Sequence, residues 1–368
     1  MDDTKYMQLA LELAAKGTGK VNPNPLVGAV IVKDGKIIGE GYHEKYGELH
    51  AERNALANCS SSPKSATMYV TLEPCCHYGK TPPCTEAIIE NRIAKVVVGT
   101  LDPNEKMAGK GVEILRNAGI EVLVGVLEEE CKRINEVFFH YITTKRPYVV
   151  MKYAMTMDGK IATVTGKSKW ITGEIARRNV HKDRNKYFAI MVGTGTVISD
   201  DPMLTCRIDD GRNPIRIICD SRLTTSLESH IVKTANEVRT IIATICGDEA
   251  KHKPYIQKGC EIVAVSEVKG HIDLSELMTK LGEMKIDSIL LEGGSTLNFS
   301  ALDAGIVNKI QCYIAPKIFG GVSAKTPVGG SGIKEVYDAV KVKNSKVVIL
   351  ENDIMIESEV ENNVHRNS

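Results

Sequence analysis

The sequence lacks a strong net charge, a long apolar run and a secretion signal, and each absence narrows the possible functions. Its 368 residues include 47 Lys and Arg against 46 Asp and Glu, a formal charge of +1. That balance does not favour binding to a long polyanion such as nucleic acid, although it permits local basic pockets for a phosphorylated small molecule. The sequence contains no run of 18 apolar residues to cross a membrane. We therefore expect neither a nucleic-acid partner nor a membrane partner.

The beginning of the chain and its cysteines indicate a reducing compartment. The segment MDDTKYMQLALELAAKG starts with acidic residues and is typical of a capped amphipathic helix rather than a signal peptide. Ten cysteines are scattered through the chain. Without a secretion signal such cysteines are expected to be reduced thiols. The sequence therefore predicts a cytoplasmic protein.

Two domains of the α/β class are expected, because 368 residues exceed what one ordinary core holds. The first part alternates helices and strands around a β-hairpin that turns at Asp34-Gly35, which is typical of an α/β sandwich. The pattern starts again after Pro147, and we set the domains at residues 1–145 and 146–368. The second part contains predicted strands PIRIICD, VRTIIAT, CEIVAV, SILLEGG and IQCYIAP, with YFAIMVGTGTV before them. A closing hairpin, AVKVKNSKVVILENDIMIESEV, predicts an antiparallel edge on a mostly parallel sheet.

A histidine, two cysteines and a glutamate form the strongest chemical pattern in the first domain. His50 and Glu52 open a predicted helix, Cys75 follows a predicted strand, and Cys84 opens another helix. Zinc takes nitrogen and sulfur ligands tetrahedrally, and a catalytic site uses three protein ligands with a water in the fourth position. The order H-x-E and then P-C…C resembles the zinc-deaminase signature, in which the glutamate moves protons and is not a ligand. Here eight residues separate the two cysteines, an expanded spacing.

A structural zinc, or no metal at all, is the alternative interpretation. A structural site would need a fourth protein ligand, which Cys76 or His77 could supply. Using both of these adjacent residues is geometrically unfavourable, and a closed site would leave Glu52 without a role. Since Cys84 begins a helix, the helix dipole is expected to lower the pKa of its thiol.

Four segments resemble the deaminase half of the bifunctional riboflavin-biosynthesis deaminase-reductases: VNPNPLVGAVIV, GYHEKYGELHAE, TLEPCCHYGKTPPCT and DPNEKMAGKG. The long EPC-x8-C segment distinguishes this family from cytidine and tRNA adenosine deaminases. The resemblance implies a cytidine-deaminase-like α/β/α sandwich that deaminates 2,5-diamino-6-(5-phosphoribosylamino)pyrimidin-4-one. It also implies that His50, Cys75 and Cys84 bind one Zn²⁺, that Glu52 is the proton shuttle and that Cys76 is a free thiol.

The sequence identifies the substrate-binding residues of the first domain less directly than the metal ligands. Asn24 lies between prolines in a rigid loop, which suits it to hydrogen-bond the edge of a pyrimidine. His43, His77 and Lys80 are candidates for contacts with the base and the phosphate. The alternative for each is a capped turn or a solvated surface group.

The second domain has no G-x-G-x-x-G after its first strand, so the standard dinucleotide fingerprint is absent. Gly193 and Gly195 follow one predicted strand, and Gly293 and Gly294 follow another. A glycine-rich turn from strand to helix directs backbone N–H groups toward a phosphate. On its own, such a pattern is equally typical of a tight βα turn.

The resemblance extends through this domain in the segments KYAMTMDGKIA, SKWIT, HKDRNKYFAIMVGTGTVISDDPMLTCR, CDSRL and LLEGGSTLN. It implies a reductase half with a dihydrofolate-reductase-like, mostly parallel α/β fold that uses NADPH to reduce the ribosyl chain of 5-amino-6-(5-phosphoribosylamino)uracil. The implied cofactor contacts are Ala154, Trp170, Thr196, Asp200, Gly293, Gly294, Ser295, Thr296 and Leu297. The implied substrate contacts are Ser168, Arg184, Leu204, Arg207 and Glu292.

Some of these roles have a chemical rationale and an open alternative. Arg184 and Arg207 could clamp a ribose phosphate. Trp170 could offer a plane near the nicotinamide, or it could be a core aromatic. Lys152 could assist ring opening, or it could form a structural ion pair. The resemblance further implies a homo-oligomer, a dimer or a tetramer.

Two alternative functions predict different sequence features. A single-activity nucleoside or nucleic-acid deaminase with a non-catalytic second domain predicts a basic face and the short cysteine spacing, and the sequence has neither. A regulatory protein with an inactive deaminase fold predicts the loss of Glu52 or of a metal ligand. All four residues are present, so we expect a two-step enzyme acting on a small phosphoribosyl pyrimidine.

Overall fold

The computed structural model describes residues 3–79, 81–104 and 107–361. The chain divides into two compact units, Met1–Lys145 and Arg146–Ser368. Each unit is an α/β structure built on its own sheet. The expected fold class, two α/β domains, is confirmed.

The first unit is a five-stranded sheet with helices on both faces. Its strand order is β2-β1-β3-β4-β5; β1 is antiparallel to β2 and β3, and β3, β4 and β5 are parallel. Its elements are α1 (Asp3–Ala15), β1 (Gly28–Lys33), β2 (Lys36–Tyr42), α2 (Ala51–Ala57), β3 (Thr67–Leu72), α3 (Cys84–Glu90), β4 (Lys95–Thr100), α4 (Lys110–Asn117), β5 (Glu121–Val124), α5 (Glu128–Ile134) and α6 (Glu136–Thr144).

Alternation along the strands gives this sheet two apolar faces, because successive side chains of a strand point to opposite sides. On β1, Ala29 and Ile31 join the core formed with α2, α3 and α4. Val30 and Val32 join the core formed with α1 and α5. The three middle strands are therefore buried on both sides, as parallel strands of a sandwich usually are.

The second unit is a nine-stranded sheet in the order β10-β9-β8-β7-β13-β6-β14-β16-β15. Reading along this order, the strands from β10 through β14 are parallel to one another, and β16 and β15 form the antiparallel edge. Its strands are β6 (Tyr148–Thr156), β7 (Ala189–Gly193), β8 (Ile215–Cys219), β9 (Thr240–Thr244), β10 (Cys260–Ala264), β13 (Ser288–Leu291), β14 (Lys309–Ala315), β15 (Val342–Leu350) and β16 (Asp353–Val360); β11 (Glu267–Val268) and β12 (His271–Ile272) form a separate small hairpin. Its helices are α7 (Glu174–Lys186), α8 (Thr194–Asp200), α9 (His230–Lys233), α10 (Glu249–Gln257), α11 (Leu274–Glu283) and α12 (Ser295–Asp303).

The predicted strands and the closing hairpin of this unit are confirmed, but several helices were not predicted. In α7 the reason is its polar sequence, EIARRNVHKDRNK, in which Ala176 is the buried residue and no apolar stripe marks the inner face. The prediction of YFAIMVGTGTV as one strand is wrong at its end, because the chain leaves β7 at Gly193 and enters α8. None of the helices in the described ranges combines the length and the apolar character needed to cross a bilayer.

A close approach of α1 to the sheet makes Gly28 a sensitive position. A Cβ atom at Gly28 would lie 2.0 Å from the carbonyl oxygen of Ala10 and 2.7 Å from the amide nitrogen of Ala14. Both atoms belong to the backbone of α1, so relief requires the helix to move. We predict that Gly28→Ala destabilises the first unit by about 1–3 kcal/mol or more. Calorimetric unfolding of the full chain measures this change, with Gly247→Ala as the control because its Cβ would meet no atom within 4 Å. An equal loss of unfolding free energy in the two variants would contradict the prediction.

Candidate active sites

Three donor atoms meet where two helices begin beside the loop that follows β3. His50 is the residue preceding α2, Cys84 is the first residue of α3, and Cys75 lies in the loop. The Nδ1 atom of His50 is 3.4 Å from the Sγ of Cys75 and 3.5 Å from the Sγ of Cys84. The backbone N–H of Cys84 donates to the Sγ of Cys75 at 3.3 Å, which ties the start of α3 to the loop.

The donor set and its spacing fit a tetrahedral zinc ion. With bonds of about 2.0 Å to nitrogen and about 2.3 Å to sulfur, tetrahedral angles separate such donors by about 3.6 Å. The observed separations of 3.4 and 3.5 Å are close to this value. In the described part of the chain, the cluster of possible metal ligands contains His50, Cys75 and Cys84, and neither Cys76 nor His77 belongs to it. Three protein donors leave one position of a tetrahedron open.

Glu52 lies in the first turn of α2, directly beside this cluster. It is 3 % exposed, and burial together with the negative charge of Cys75 raises the pKa of its carboxyl to about 7. A carboxyl group with that pKa can both accept and release a proton near neutral pH. The site therefore pairs a metal-binding cluster with a buried acid-base group.

The start of α3 affects the pKa of a different thiol from the one expected from the sequence. A hydrogen bond from the Cys84 thiol lowers the pKa of Cys75 to about 4, whereas the same bond and burial raise the pKa of Cys84. The amide at the start of α3 points at the sulfur of Cys75, not at that of its own residue. Because this amide donates to the sulfur of Cys75, the helix start favours the thiolate of that residue.

A cavity of about 350 Å³ opens above the cluster, and it contains the residues predicted to contact a base. Asn24, His43 and His77 line it, together with Glu52 and the possible metal ligands His50 and Cys75. The Nδ1 of His43 is 3.0 Å from the carbonyl oxygen of Leu49, which can only accept, so Nδ1 carries the proton. Its Nε2 then accepts from the Nδ2 of Asn24 at 3.2 Å, which leaves the side-chain oxygen of Asn24 as a free acceptor. Lys80 lies outside the described residues.

Sequence reasoning missed Glu73, which shapes one wall of this cavity. Its buried carboxylate accepts hydrogen bonds from the backbone N–H groups of Asp102, Gly109 and Val112 at 3.0–3.2 Å. Gly109 and Val112 occupy the N-cap and third positions of α4, so Glu73 acts as a remote cap for that helix. The loop before α4 also contains Asp102, Asn104 and Met107, which line the cavity. The available signal in the sequence was the position of this glutamate, immediately before Pro74-Cys75.

The second unit contains a larger cavity of about 1030 Å³ along the carboxyl ends of β6, β7, β8 and β13. Most of the predicted contacts of this unit line it: Ala154, Ser168, Thr196, Asp200, Glu292, Gly293, Gly294, Ser295, Thr296 and Leu297. Gly193 and Gly294 precede α8 and α12, and neither helix start has a side-chain cap. These helix starts leave uncapped N–H groups at the cavity wall, and a Cβ of Gly195 would lie in open space. Such N–H groups fit the phosphates of a dinucleotide.

Three charged side chains form a buried network at one end of this cavity. Arg184 donates to both carboxylate oxygens of Glu292 at 2.8 and 3.0 Å, and Lys152 donates to the same carboxylate at 3.2 Å. Burial alone would raise the pKa of Glu292, but the two cations hold it well below its usual range. Arg184 also donates to the carbonyl oxygen of Thr205 at 3.1 Å. Protein groups thus hold its guanidinium in a fixed orientation.

The remaining predicted contacts do not line the cavity. The side chain of Leu204 is buried in the core between β7, β8 and α8. Trp170 is 61 % exposed with the guanidinium of Arg177 4.7 Å from its ring centre, so it is not a core aromatic. Arg207 is exposed, and its side chain forms no hydrogen bond or salt bridge with any described residue. Its backbone N–H donates to the Nδ1 of His181, whose pKa falls to about 4 through burial and the nearby charges of Arg184 and Arg207.

Comparisons with known proteins match both units. Residues 1–100 match the family model "Cytidine and deoxycytidylate deaminase zinc-binding region", and residues 147–356 match "RibD C-terminal domain". The riboflavin biosynthesis protein RibD of Actinobacillus pleuropneumoniae is 54 % identical over 357 residues, which are 97 % of this chain and 95 % of that protein. The Escherichia coli RibD is 39 % identical over 94 % of this chain and 96 % of that protein.

Solved structures agree along almost the whole chain. The Thermotoga maritima diaminohydroxyphosphoribosylaminopyrimidine deaminase/5-amino-6-(5-phosphoribosylamino)uracil reductase has a TM-score of 0.88 and 43 % identity, covering 97 % of this chain and 98 % of that one. Acinetobacter baumannii RibD has a TM-score of 0.86 and 36 % identity, with the same coverage. Both units of this chain therefore have counterparts in single proteins of the same length.

The metal cluster leads to a test that does not depend on activity. We predict that Cys75→Ser and Cys84→Ser each weaken zinc binding by more than about 100-fold, since loss of a direct ligand costs more than loss of its supporting contacts. Cys76→Ser is the matched control and keeps one zinc per chain. Metal content after dialysis against a chelator, measured by mass spectrometry, distinguishes the variants. Equal zinc loss from the Cys76→Ser protein would contradict the three-donor site.

Proposed function

Since the chain belongs to the RibD family of riboflavin-biosynthesis deaminase-reductases, we propose residue roles for both of its reactions. The protein is a bifunctional enzyme with zinc and NADPH as cofactors. Its deaminase converts 2,5-diamino-6-(5-phosphoribosylamino)pyrimidin-4-one to 5-amino-6-(5-phosphoribosylamino)uracil. Its reductase then converts the ribosyl chain of that product to ribityl. We assign the first reaction to residues 1–145 and the second to residues 146–368.

In the deaminase, His50, Cys75 and Cys84 hold the zinc ion, and Glu52 moves the protons. Zinc bound there would lower the pKa of a water to about 7 and so supply the nucleophile. Glu52 takes a proton from the attacking water and delivers protons to the ring nitrogen and to the leaving ammonia. The observation that carries this proposal is the buried Glu52 carboxyl beside three metal donors in a cavity of about 350 Å³.

Asn24 is proposed to orient the pyrimidine, with His43 as its positioning residue. The protonation of His43 Nδ1 makes Nε2 an acceptor, so the amide of Asn24 is held with its oxygen free. That oxygen can accept from an amino or ring N–H group on the edge of the base. His77 and Lys80 are proposed for the phosphoribosyl part. His77 lines the same cavity, which supports its role.

In the reductase, Lys152 and Glu292 lie at the end of the cavity where the ribose is to be reduced. NADPH supplies the hydride that reduces C1′ of the opened sugar. Lys152 is proposed to hold or donate the proton at the developing alkoxide, because it lines the cavity and Glu292 fixes its position. Arg207 is proposed to bind the substrate phosphate, and Ser168, which lines the cavity, is proposed to contact the substrate. Arg184 supports the site through Glu292, and Leu204 would contribute its backbone.

The cofactor is proposed to lie along the carboxyl ends of the parallel strands. Gly293, Gly294, Ser295, Thr296 and Leu297 form the phosphate turn at the start of α12, supported by their position in the cavity wall. Ala154, Thr196 and Asp200 line the same cavity, and Trp170 remains a candidate for the nicotinamide side. Exclusion of water by such walls favours hydride transfer between two bound partners.

We also propose a cytoplasmic homo-oligomer. The described cysteines are all free thiols, which suits a reducing compartment. The outer strand β15 leaves an exposed, partly apolar sheet edge with Val347 and Ile349. Such an edge is often covered by a second chain.

Glu52→Gln is predicted to lower the rate of ammonia release by about 10²–10⁴-fold, because it removes the acid-base group but keeps its shape. Reduction of the deaminated intermediate by NADPH should stay within about twofold of wild type, since the two sites use different residues. The measurement follows ammonia release and NADPH oxidation separately, with the exposed Glu113→Gln as the control. Ammonia release at the wild-type rate from the Glu52→Gln enzyme would refute the proposed mechanism.

Arg207→Ala is predicted to have the opposite selectivity. Losing a charge-assisted contact to the phosphate should raise the KM of the reductase substrate by about 10–100-fold. Ammonia release should be unchanged, and Arg207→Lys should recover part of the loss because it keeps the charge. Steady-state kinetics of each half-reaction tests this, and an unaltered reductase KM would remove Arg207 from the site.

A further inference from the structure

A buried asparagine lies at the junction of α5 and α6 in the first unit. Asn135 is 2 % exposed, and its backbone N–H donates to the carbonyl oxygen of Lys132 in α5 at 3.1 Å. Its own carbonyl oxygen accepts from the backbone N–H of Phe139 in α6 at 2.9 Å. Both helices therefore fix the position of this residue.

The side chain of Asn135 binds the backbone of one residue that is 109 positions away in the chain. The N–H of Leu26 donates to the Oδ1 of Asn135 at 2.8 Å, and the Nδ2 of Asn135 donates to the carbonyl oxygen of Leu26 at 2.9 Å. The amide group thus pairs with Leu26 as a residue of a neighbouring antiparallel strand would. An asparagine directly before a helix commonly caps that helix with its side chain. Within the described residues Asn135 makes no such cap bond, and its amide is committed to Leu26 instead.

Leu26 belongs to the loop 22–27, which forms part of the wall of the cavity above the metal cluster. Asn24 and Val27 line that cavity. The carbonyl oxygen of Val27 accepts from the backbone N–H of His43 at 2.9 Å, and the Nδ2 of Asn24 donates to the Nε2 of His43 at 3.2 Å. One attachment of the loop is thus to the end of β2, and the amide pair at Leu26 is the other.

The helix that begins after Asn135 forms another part of the cavity wall. Phe138 and Ile142 line the cavity. They follow Asn135 by three and seven residues, so all three lie on one face of α6. The face that binds the loop at its start is therefore the face that borders the cavity. An apolar wall beside the amide of Asn24 suits a flat ring with polar edges, such as a pyrimidine.

We propose that Asn135 is a positioning residue of the deaminase, which holds the loop 22–27 against α6 and so fixes the place at which Asn24 meets the pyrimidine. The proposal rests on the deaminase function and on the role of Asn24 given above, and it adds a residue that acts through Asn24. Without the amide of Asn135, the N–H and carbonyl groups of Leu26 lose these partners and the loop loses its attachment to α6. A displacement of about 1 Å in a group that orients a substrate can lower the rate by about 100-fold.

Hydrogen exchange in the full-length protein tests the attachment without turnover. Asn135→Leu keeps nearly the same volume and removes both hydrogen-bonding groups. Mass spectrometry should show exchange about tenfold faster in a peptide covering residues 22–27 and no change in β3, because two hydrogen bonds are lost locally. Asn58→Leu is the matched control, since the side chain of Asn58 donates to the carbonyl oxygen of Glu40 at 3.0 Å in the same unit and does not line the cavity. An equal rise of exchange in both segments, or the loss of bound zinc, would show a general stabilising role and would overturn the proposal.

Ammonia release shows whether the attachment acts through Asn24. Asn135→Leu should lower kcat/KM for deamination by about 10–100-fold, with zinc content unchanged and reduction of the deaminated intermediate by NADPH within about twofold of wild type. In an Asn24→Ala background, Asn135→Leu should cost less than about threefold more, because the group through which it acts is already removed. Losses that multiply in the double variant, or wild-type ammonia release from the Asn135→Leu enzyme, would overturn the proposal. If the wild-type enzyme released no ammonia from the diaminopyrimidine, the deaminase function would be wrong, and the exchange experiment would still decide whether Asn135 holds the loop.

Discussion

Both sites depend on one constraint, the arrangement of parallel strands followed by helices. Right-handed connections between parallel strands bring the carboxyl ends of the strands and the starts of the following helices to one edge of the sheet. In the first unit this edge carries Cys75 after β3 and Cys84 at the start of α3. In the second unit it carries the cavity along β6, β7, β8 and β13. The strand topology therefore determines where the site of each unit lies, independently of the side chains found there.

The two edges use charge in different ways. In the deaminase, burial raises the pKa of Glu52 to about 7, so that one carboxyl can serve as base and acid while the thiols hold a cation. In the reductase, two cations surround Glu292 and keep it ionised, so that it orients Lys152 and Arg184 rather than exchanging protons. The neighbours of the two carboxyl groups thus suit Glu52 to the proposed proton transfer and Glu292 to a fixed, charged role.

Local patterns predicted the strands well, but they did not predict α7 or the side-chain environments that tertiary contacts create. Apolar runs joined by a turn identify β1 and the closing hairpin, whereas α7 has almost no apolar residue to reveal its buried side. Family resemblance pointed to Arg184 and Leu204 as substrate contacts. In the folded chain Arg184 is engaged by Glu292, and Leu204 is enclosed by core residues that are distant in sequence. Neither fact can be read from the neighbours of these residues along the chain.

The sequence by itself determined the ligand types, their order and the expanded spacing between Cys75 and Cys84, because zinc chemistry depends on residue identity. It also indicated a second α/β domain with glycine-rich turns. Only the tertiary structure decided which thiol receives the helix amide and that Glu73, in the loop after β3, supports the start of α4 and so a wall of the cavity. These properties depend on distances between segments far apart in the chain, and those distances exist only after the sheets have formed.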